Sequence, residues 1–221
     1  MTDRELLIVT ELNITASNSV TLCGSAAEAP RFSHVGGTET YMTFPLEVER
    51  LSGTVDRINV VARETDLQNM RLGGENKIHV EGEVRSFNNK NGAGSRLVIT
   101  VLAKELYFTD AAEDVNDVRL SGVICKPPTL RKTPMGRQIC DVMLAVNRKY
   151  GRSDYLPCIA WGRCAMELAA RSVGDTVSLV GRIQSRKYIK NTESGSEERT
   201  AFEVSVISLD ECGEEDSGDE M

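Results

Sequence analysis

The sequence predicts an all-β protein made of two tandem five-stranded Greek-key barrels, each with a short helix between its third and fourth strands. Three observations predict it. The chain repeats itself at a spacing of about 98 residues. Each copy alternates apolar and polar residues over short runs bounded by Gly, Pro and charged turns. One helix-forming segment interrupts those runs at the same place in each copy.

The repeat is read from anchors that keep register. Asn18-x5-Gly24-x5-Pro30 returns as Asn116-x5-Gly122-x5-Pro128, and Leu46, Arg50 and Asp56 return as Leu144, Arg148 and Asp154, all at an offset of 98. Gly82-x3-Ser86 returns as Gly181-x3-Ser185 at an offset of 99, so one loop residue has been inserted. A period near 100 is too long for a solenoid unit, and each copy must enclose its own core.

Copy 2 gives the elements in order. Val118-Leu120-Gly122-Ile124 alternates as a first strand, closed by Lys126-Pro127-Pro128 and a basic loop to Met135-Gly136. Ile139 to Asn147 reads as the second strand and Tyr155 to Trp161 as the third. Arg163 to Arg171, rich in Ala, Leu and Met, reads as a short helix. Val177-Leu179-Gly181-Ile183 is the fourth strand and Ala201 to Leu209 the fifth. Gly122 and Gly181 fit the sharp bends of a small barrel. Copy 1 follows the same order, with a weaker helix around Glu64 to Leu72. Strand, strand, strand, helix, strand, strand is the order of the OB-fold. The expected organisation is barrel 1 over 1–112, barrel 2 over 113–209 and a disordered acidic tail over 210–221.

Charge divides unevenly along the 221 residues, whose net is −7. Residues 116–208 hold 15 Lys/Arg against nine Asp/Glu, whereas residues 209–221 hold seven acids and no base. The second barrel is therefore basic although the chain is acidic. The six cysteines form no C-x-x-C pair and read as neutral thiols in a reducing compartment, and no spacing suggests a metal or cofactor. No run approaches the roughly 18 apolar residues of a membrane span, and the mixed-charge N-terminus is unlike a secretory signal. The expected location is cytoplasmic and nucleoid-associated. No phosphate-cradling Gly loop, paired-carboxylate motif or Ser/His/Asp grouping is present, so no enzyme is expected. Cys158 and Cys164 lack a nearby His, and His34 and His79 lie in the acidic copy.

Copy 2 concentrates aromatic and basic residues on what must be its outer surface. Tyr155, Pro157, Ile159 and Trp161 share one parity of the third strand. Arg182, Gln184, Arg186 and Tyr188 share the parity opposite the apolar residues of the fourth. Arg148, Lys149, Tyr150 and Arg152 lie at the turn between strands two and three, with Lys187 and Lys190 entering the last loop. Aromatic rings offer stacking platforms worth about 1–3 kcal/mol per base, and Lys and Arg meet phosphates. A strand aromatic is more often half-buried packing, and a charge run is more often a solvated face. Both types on one surface point instead to single-stranded nucleic acid.

The string Gly181-Arg182-Ile183-Gln184-Ser185-Arg186-Lys187-Tyr188 resembles the fourth-strand signature of the bacterial single-stranded DNA-binding protein family. Ile159-Ala160-Trp161-Gly162-Arg163-Cys164-Ala165 is similar to that family's exit from strand three into the helix. The resemblance implies sequence-independent binding of single-stranded DNA in replication, repair or recombination, with no cofactor. It places Tyr150, Tyr155, Trp161 and Tyr188 at base-stacking positions and implies a homodimer presenting four barrels. Copy 1 departs from the pattern, with Ser52, Arg57, Arg63 and Asn89 at those four positions and Phe87 close to the last. It is expected to contact DNA weakly or to build the oligomer. The tail lacks the Pro-Phe tip through which family members recruit replication or repair proteins, although its charge suits transient masking of a basic groove. A second reading of the aromatic-poor copy and acidic tail is a primosome-type adaptor acting through protein contacts. RNA is a variant ligand of the first reading.

Overall fold

In a computed structural model, residues 18–26, 28–74, 76–89, 97–148, 151–192 and 195–210 are described. The N-terminal segment and the acidic tail beyond residue 210, with Cys212, lie outside them, as do Lys149 and Tyr150. Barrel 1 is built from β1 (Asn18–Ala26), β2 (Arg31–Gly36), β3 (Glu39–Glu49), β4 (Val55–Arg63), α1 (Glu64–Leu67), β5 (Lys77–Asn88) and β6 (Leu97–Thr109). Barrel 2 repeats it with β7 (Val115–Ile124), β8 (Thr129–Lys132), β9 (Gln138–Asn147), β10 (Ser153–Trp161), α2 (Gly162–Ala169), β11 (Thr176–Thr192) and β12 (Gly195–Asp210).

The cores follow from period-two alternation. Val20, Phe44, Leu46, Ile58, Val80 and Val101 are sealed in barrel 1, and Val118, Leu144, Leu156, Leu179, Ile183 and Val204 in barrel 2. Each barrel closes through a short parallel contact, Val60 beside Val101 in one and Cys158 beside Val204 in the other. Gly24 and Gly82 lie where a Cβ would sit 2.2 Å from the carbonyl oxygens of Glu47 and Leu102. Their mates Gly122 and Gly181 face the Ala145 and Ser205 oxygens at 2.8 and 2.5 Å. The glycines of the repeat thus mark close backbone approaches at the barrel seams.

Three elements differ from the sequence expectation. The loop after each first strand carries an additional short strand, β2 or β8, hydrogen-bonded to the edge of β3 or β9. In β8 all four residues are exposed, so burial leaves no alternating signal to read. The β11–β12 hairpin runs well past the barrel: Lys187 pairs with Thr200 and Lys190 with Glu197 within the ladder rather than in a loop. Both faces of that extension are wet, with Arg186 exposed on one and Lys187 on the other, and the period-two pattern disappears for the same reason. In barrel 1 the helix shrinks to four residues.

The two barrels are one structural body. β1 pairs antiparallel with β7, joining all twelve strands in one hydrogen-bonded order, and Val20 opposes its own repeat mate Val118. A pseudo-two-fold axis therefore passes between them. The repeat anchors Arg50, Asp56, Ser86, Arg148, Asp154 and Ser185 turn out to form two symmetric clamps across this axis. Asp56, fully buried, accepts from Arg50 Nε (2.6 Å) and, across the interface, from the backbone N–H and hydroxyl of Ser185 (both 2.7 Å). Asp154, also fully buried, accepts from Arg148 Nε (2.6 Å) and from the Ser86 N–H across the interface (2.5 Å). Arg148 also donates to the Ser86 carbonyl at 3.0 Å. Arg85 of barrel 1 adds a 3.3 Å contact to Asp154, and, sealed from water, both aspartates depend on protein donors of this kind.

Asp154→Ala is expected to cost about 3–5 kcal/mol of stability, because it strands Arg148 and the Ser86 N–H at once; urea unfolding measures it. The acid limb reports the same contact through Asp56. Burial pushes its carboxyl up, but Arg50 and the two Ser185 donors outweigh burial and hold it below the ordinary range. The stabilisation is complete above the unfolded value of about 4 and is lost as pH falls through the lower folded value. A chain carrying Asp56→Asn should show a correspondingly flatter acid limb; an identical limb would assign acid unfolding to other carboxylates.

Candidate nucleic-acid interface

The outer surface of barrel 2 runs across β10, β12 and β11, which are neighbours in the sheet. On β10, Leu156, Cys158 and Ala160 point into the core, which turns Tyr155, Pro157, Ile159 and Trp161 to the other side; there Pro157 is half-buried and Ile159 is buried, contrary to the sequence expectation, and the two rings stay exposed. Tyr155 is 53% exposed and Trp161 41% exposed. Trp161 ends the strand and caps α2, with Gly162 (φ 57°) making the left-handed turn into the helix. On β11, Val177, Leu179, Gly181 and Ile183 face the core and Arg182, Gln184, Arg186 and Tyr188 the outer side. The fold therefore brings Tyr155, Trp161, Gln184, Arg186 and the half-buried Tyr188 onto one continuous face.

The cations on this face differ in availability. Arg186 is exposed and lies 3.7 Å from Glu203, and Lys187 makes a 3.0 Å surface pair with Glu198. Such exposed pairs are weak and exchange readily for another anion. Arg152 is exposed at the β9–β10 turn. Arg182 is half-buried with its Nε enclosed and without a partner among the described residues. Arg148 is committed differently: it belongs to the Asp154 clamp and projects toward barrel 1 rather than standing with the β10 aromatics. Lys149 and Tyr150 lie outside the described residues, as does the Lys190 side chain.

Barrel 1 holds a groove of about 590 Å³ on the matching outer face. Arg31, His34, Arg85 and Phe87 line it, Thr100 and Val61 contribute to it, and Arg148 reaches it from barrel 2. Phe87 is 53% exposed. At one end His34 stacks flat on Tyr41, with ring centroids 4.8 Å apart and planes 5° from parallel. Arg63 faces Tyr41 directly across the β3–β4 pair. The corresponding row in barrel 2 is Arg131, Ile139 and Trp161. Ring and guanidinium have exchanged ends of the row, which runs His34, Tyr41, Arg63 in barrel 1 and Arg131, Ile139, Trp161 in barrel 2.

Reading only the four stacking positions of copy 2 back onto copy 1 missed this surface. Tyr41 was within reach, since it is the repeat mate of Ile139 at the offset of 98. His34 was not, because a register shift between Phe32 and His34 puts it, rather than Ser33, beside Tyr41. Arg85 and Phe87 alternate with buried Val84 and Ser86 on β5, a legible signal once the strand is placed.

The profile of the Single-strand binding protein family matches residues 115–210, the whole of barrel 2. Single-stranded DNA-binding protein B of Bacillus subtilis is 38% identical over 80 residues, which cover 33% of this chain and 71% of that protein. The chain belongs to the single-strand binding protein family. Another relative, the single-stranded DNA-binding protein of Oceanobacillus iheyensis, is 31% identical over 100 residues, or 42% of this chain and 59% of its own length. The match to the Enterococcus faecalis single-stranded DNA-binding protein, at 37% identity, spans 43% of its length. The chain thus spans about half the length of several curated relatives it matches. Wild-type single-stranded DNA binding protein from Thermus aquaticus superposes with a TM-score of 0.70 at 20% identity, over 87% of this chain and 91% of that one. This likeness is one of fold, and at that coverage it takes in both barrels. Among the described residues, no helix is long and apolar enough to cross a membrane.

Burial and the nearby Glu203 push the Cys158 thiol up to about 12, so it carries almost no thiolate at neutral pH. Iodoacetamide at pH 8 is expected to leave Cys158 unmodified in the native chain and to label it in guanidinium, read by peptide mass mapping. Fast labelling of the native thiol would mean that the β10–β12 seam opens.

Proposed function

We propose that the chain binds single-stranded DNA without sequence preference and serves replication, repair or recombination as a non-catalytic component. The observation that carries this reading is the pair of exposed rings, Tyr155 and Trp161, on β10, whose outer side continues across β12 to the Arg182- and Arg186-bearing β11, within the segment that matches the family. Bases stack on Tyr155 and Trp161, with Tyr188 farther along the hairpin and Tyr150 at the adjoining turn. Arg186, Lys187 and Arg152 meet phosphates, joined by Lys149, Lys190 and, at the enclosed end of the face, Arg182. Arg148 acts as a positioning residue that holds the barrels together while forming a wall of the barrel 1 groove. In that groove Phe87 offers a further stacking surface and Arg31 a phosphate contact, so the first barrel takes an adjoining stretch of the strand. Two barrels per chain, in a family named for single-strand binding, support a homodimer presenting four.

Trp161 is the single tryptophan of the chain, which makes the test direct. Titration with oligo-dT should quench its fluorescence to a saturating level, and the apparent affinity should fall steeply with salt. An unmoved signal together with no gel shift would refute DNA binding and favour an adaptor role.

Trp161→Ala and Tyr188→Ala should each weaken binding by about 1–3 kcal/mol with the melting temperature retained. Phe87→Ala should weaken it measurably, whereas Arg63→Ala and Asn89→Ala should matter less. Fluorescence anisotropy with labelled oligo-dT measures the series, and equal losses throughout would remove the separate roles given to these rings.

A further inference from the structure

The two outer faces differ at one position in the middle of the path proposed for the strand. Ser86 and Ser185 are repeat mates, which makes Arg85 and Gln184 mates as well. In the ladders Arg85 opposes Thr100 and Gln184 opposes Glu203. Thr100 lines the barrel 1 groove, so Glu203 takes the matching place in barrel 2. Its carboxylate is nearly buried, at 7% exposure, on a surface otherwise suited to a polyanion. Gln184 donates to Oε1 at 3.0 Å, and the Arg186 guanidinium lies 3.7 Å from Oε2. Arg131, held protonated mainly by its Asp141 ion pair, and Arg50, held mainly by Asp56, also feel this charge. An anion ringed by cationic and amide donors occupies the kind of environment a phosphate requires.

We propose that Glu203 is an internal competitor for backbone phosphate, engaging Arg186 and Gln184 in barrel 2 until a strand displaces it. This rests on the reading of the chain as a single-stranded DNA binder. Its consequence is a division of labour. Barrel 1 has Thr100 and no carboxylate at the matching place, although Arg85 pairs with Glu83 and Asp154 and Arg148 with Asp154, which leaves Arg31 as the groove cation most available to a phosphate. In barrel 2 Arg186 adds less to the salt dependence than an unpaired arginine would, because the nearby carboxylate offsets part of its charge toward phosphate.

The test is the salt dependence of oligo-dT binding by the full chain. Glu203→Gln should tighten binding at low salt and steepen the slope of log K against log salt by about 0.7, the increment for one single-strand phosphate contact. Arg186→Gln should flatten the slope less in the otherwise native chain than in the Glu203→Gln background, where it should cancel the gain. The reciprocal change Thr100→Glu, which installs the carboxylate in barrel 1, should flatten the slope by a similar amount and decides the matter if the Glu203 variant does not fold. A Glu203→Gln chain that binds with an unaltered slope overturns the proposal, as does an equal loss of slope when Arg186 is removed with Glu203 present and with it replaced. Failure of the native chain to bind oligo-dT would sink the underlying function, an outcome visible before any variant is made.

Discussion

Two buried aspartates hold the molecule in its working shape. Asp56 and Asp154 each sit at zero exposure and draw donors from both barrels. A carboxylate sealed from water has no substitute for those donors, so the relative placement of the barrels is set by hydrogen-bond geometry and not by apolar contact alone. The β1–β7 pairing adds a continuous ladder through the same axis. With the barrels fixed in this way, an arginine of one can form the wall of a groove on the other, as Arg148 does.

On this rigid frame the two copies carry different chemistry. The interior is repeated closely: seam glycines, clamp residues and alternating core positions return at offsets of 98 and 99. The outer surface is not repeated. A row with Tyr41 and Arg63 in barrel 1 has Ile139 and Trp161 in barrel 2, and Thr100 is replaced by Glu203. Core positions tolerate little change because volume and backbone approach constrain them. Outward-turned positions lie outside the barrel interiors, even where they are buried like Ile139, Thr100 and Glu203, and their differences give one scaffold two different faces.

Much of the candidate face was legible in the sequence, for a specific reason. Parity along a strand assigns faces once the strand is known, so Tyr155 and Trp161 are turned outward by the sequence pattern alone. The same reasoning could not separate Arg148 from Arg186. Both read as cations beside aromatics, yet one is anchored to a buried aspartate and the other is exposed. Nor could it find His34, whose place depends on a register shift at an edge strand. Where both faces of a strand are wet, as in β8 and the tip of the β11–β12 hairpin, apolar alternation vanishes and strand reads as loop.

By itself the sequence determined the duplication, the all-β barrel order, the basic character of the second copy and the outward face of its third strand. These follow from local periodicity and composition, which hydrophobic burial imposes residue by residue. The tertiary structure decided which repeated polar residues are clamps and which cations stay free for a ligand. It also decided that the first barrel has a groove of its own, and that a carboxylate stands in the matching place of the second. Those outcomes depend on cross-strand register and on contacts more than 60 residues apart along the chain, such as Ser86 with Asp154, and no local pattern encodes them.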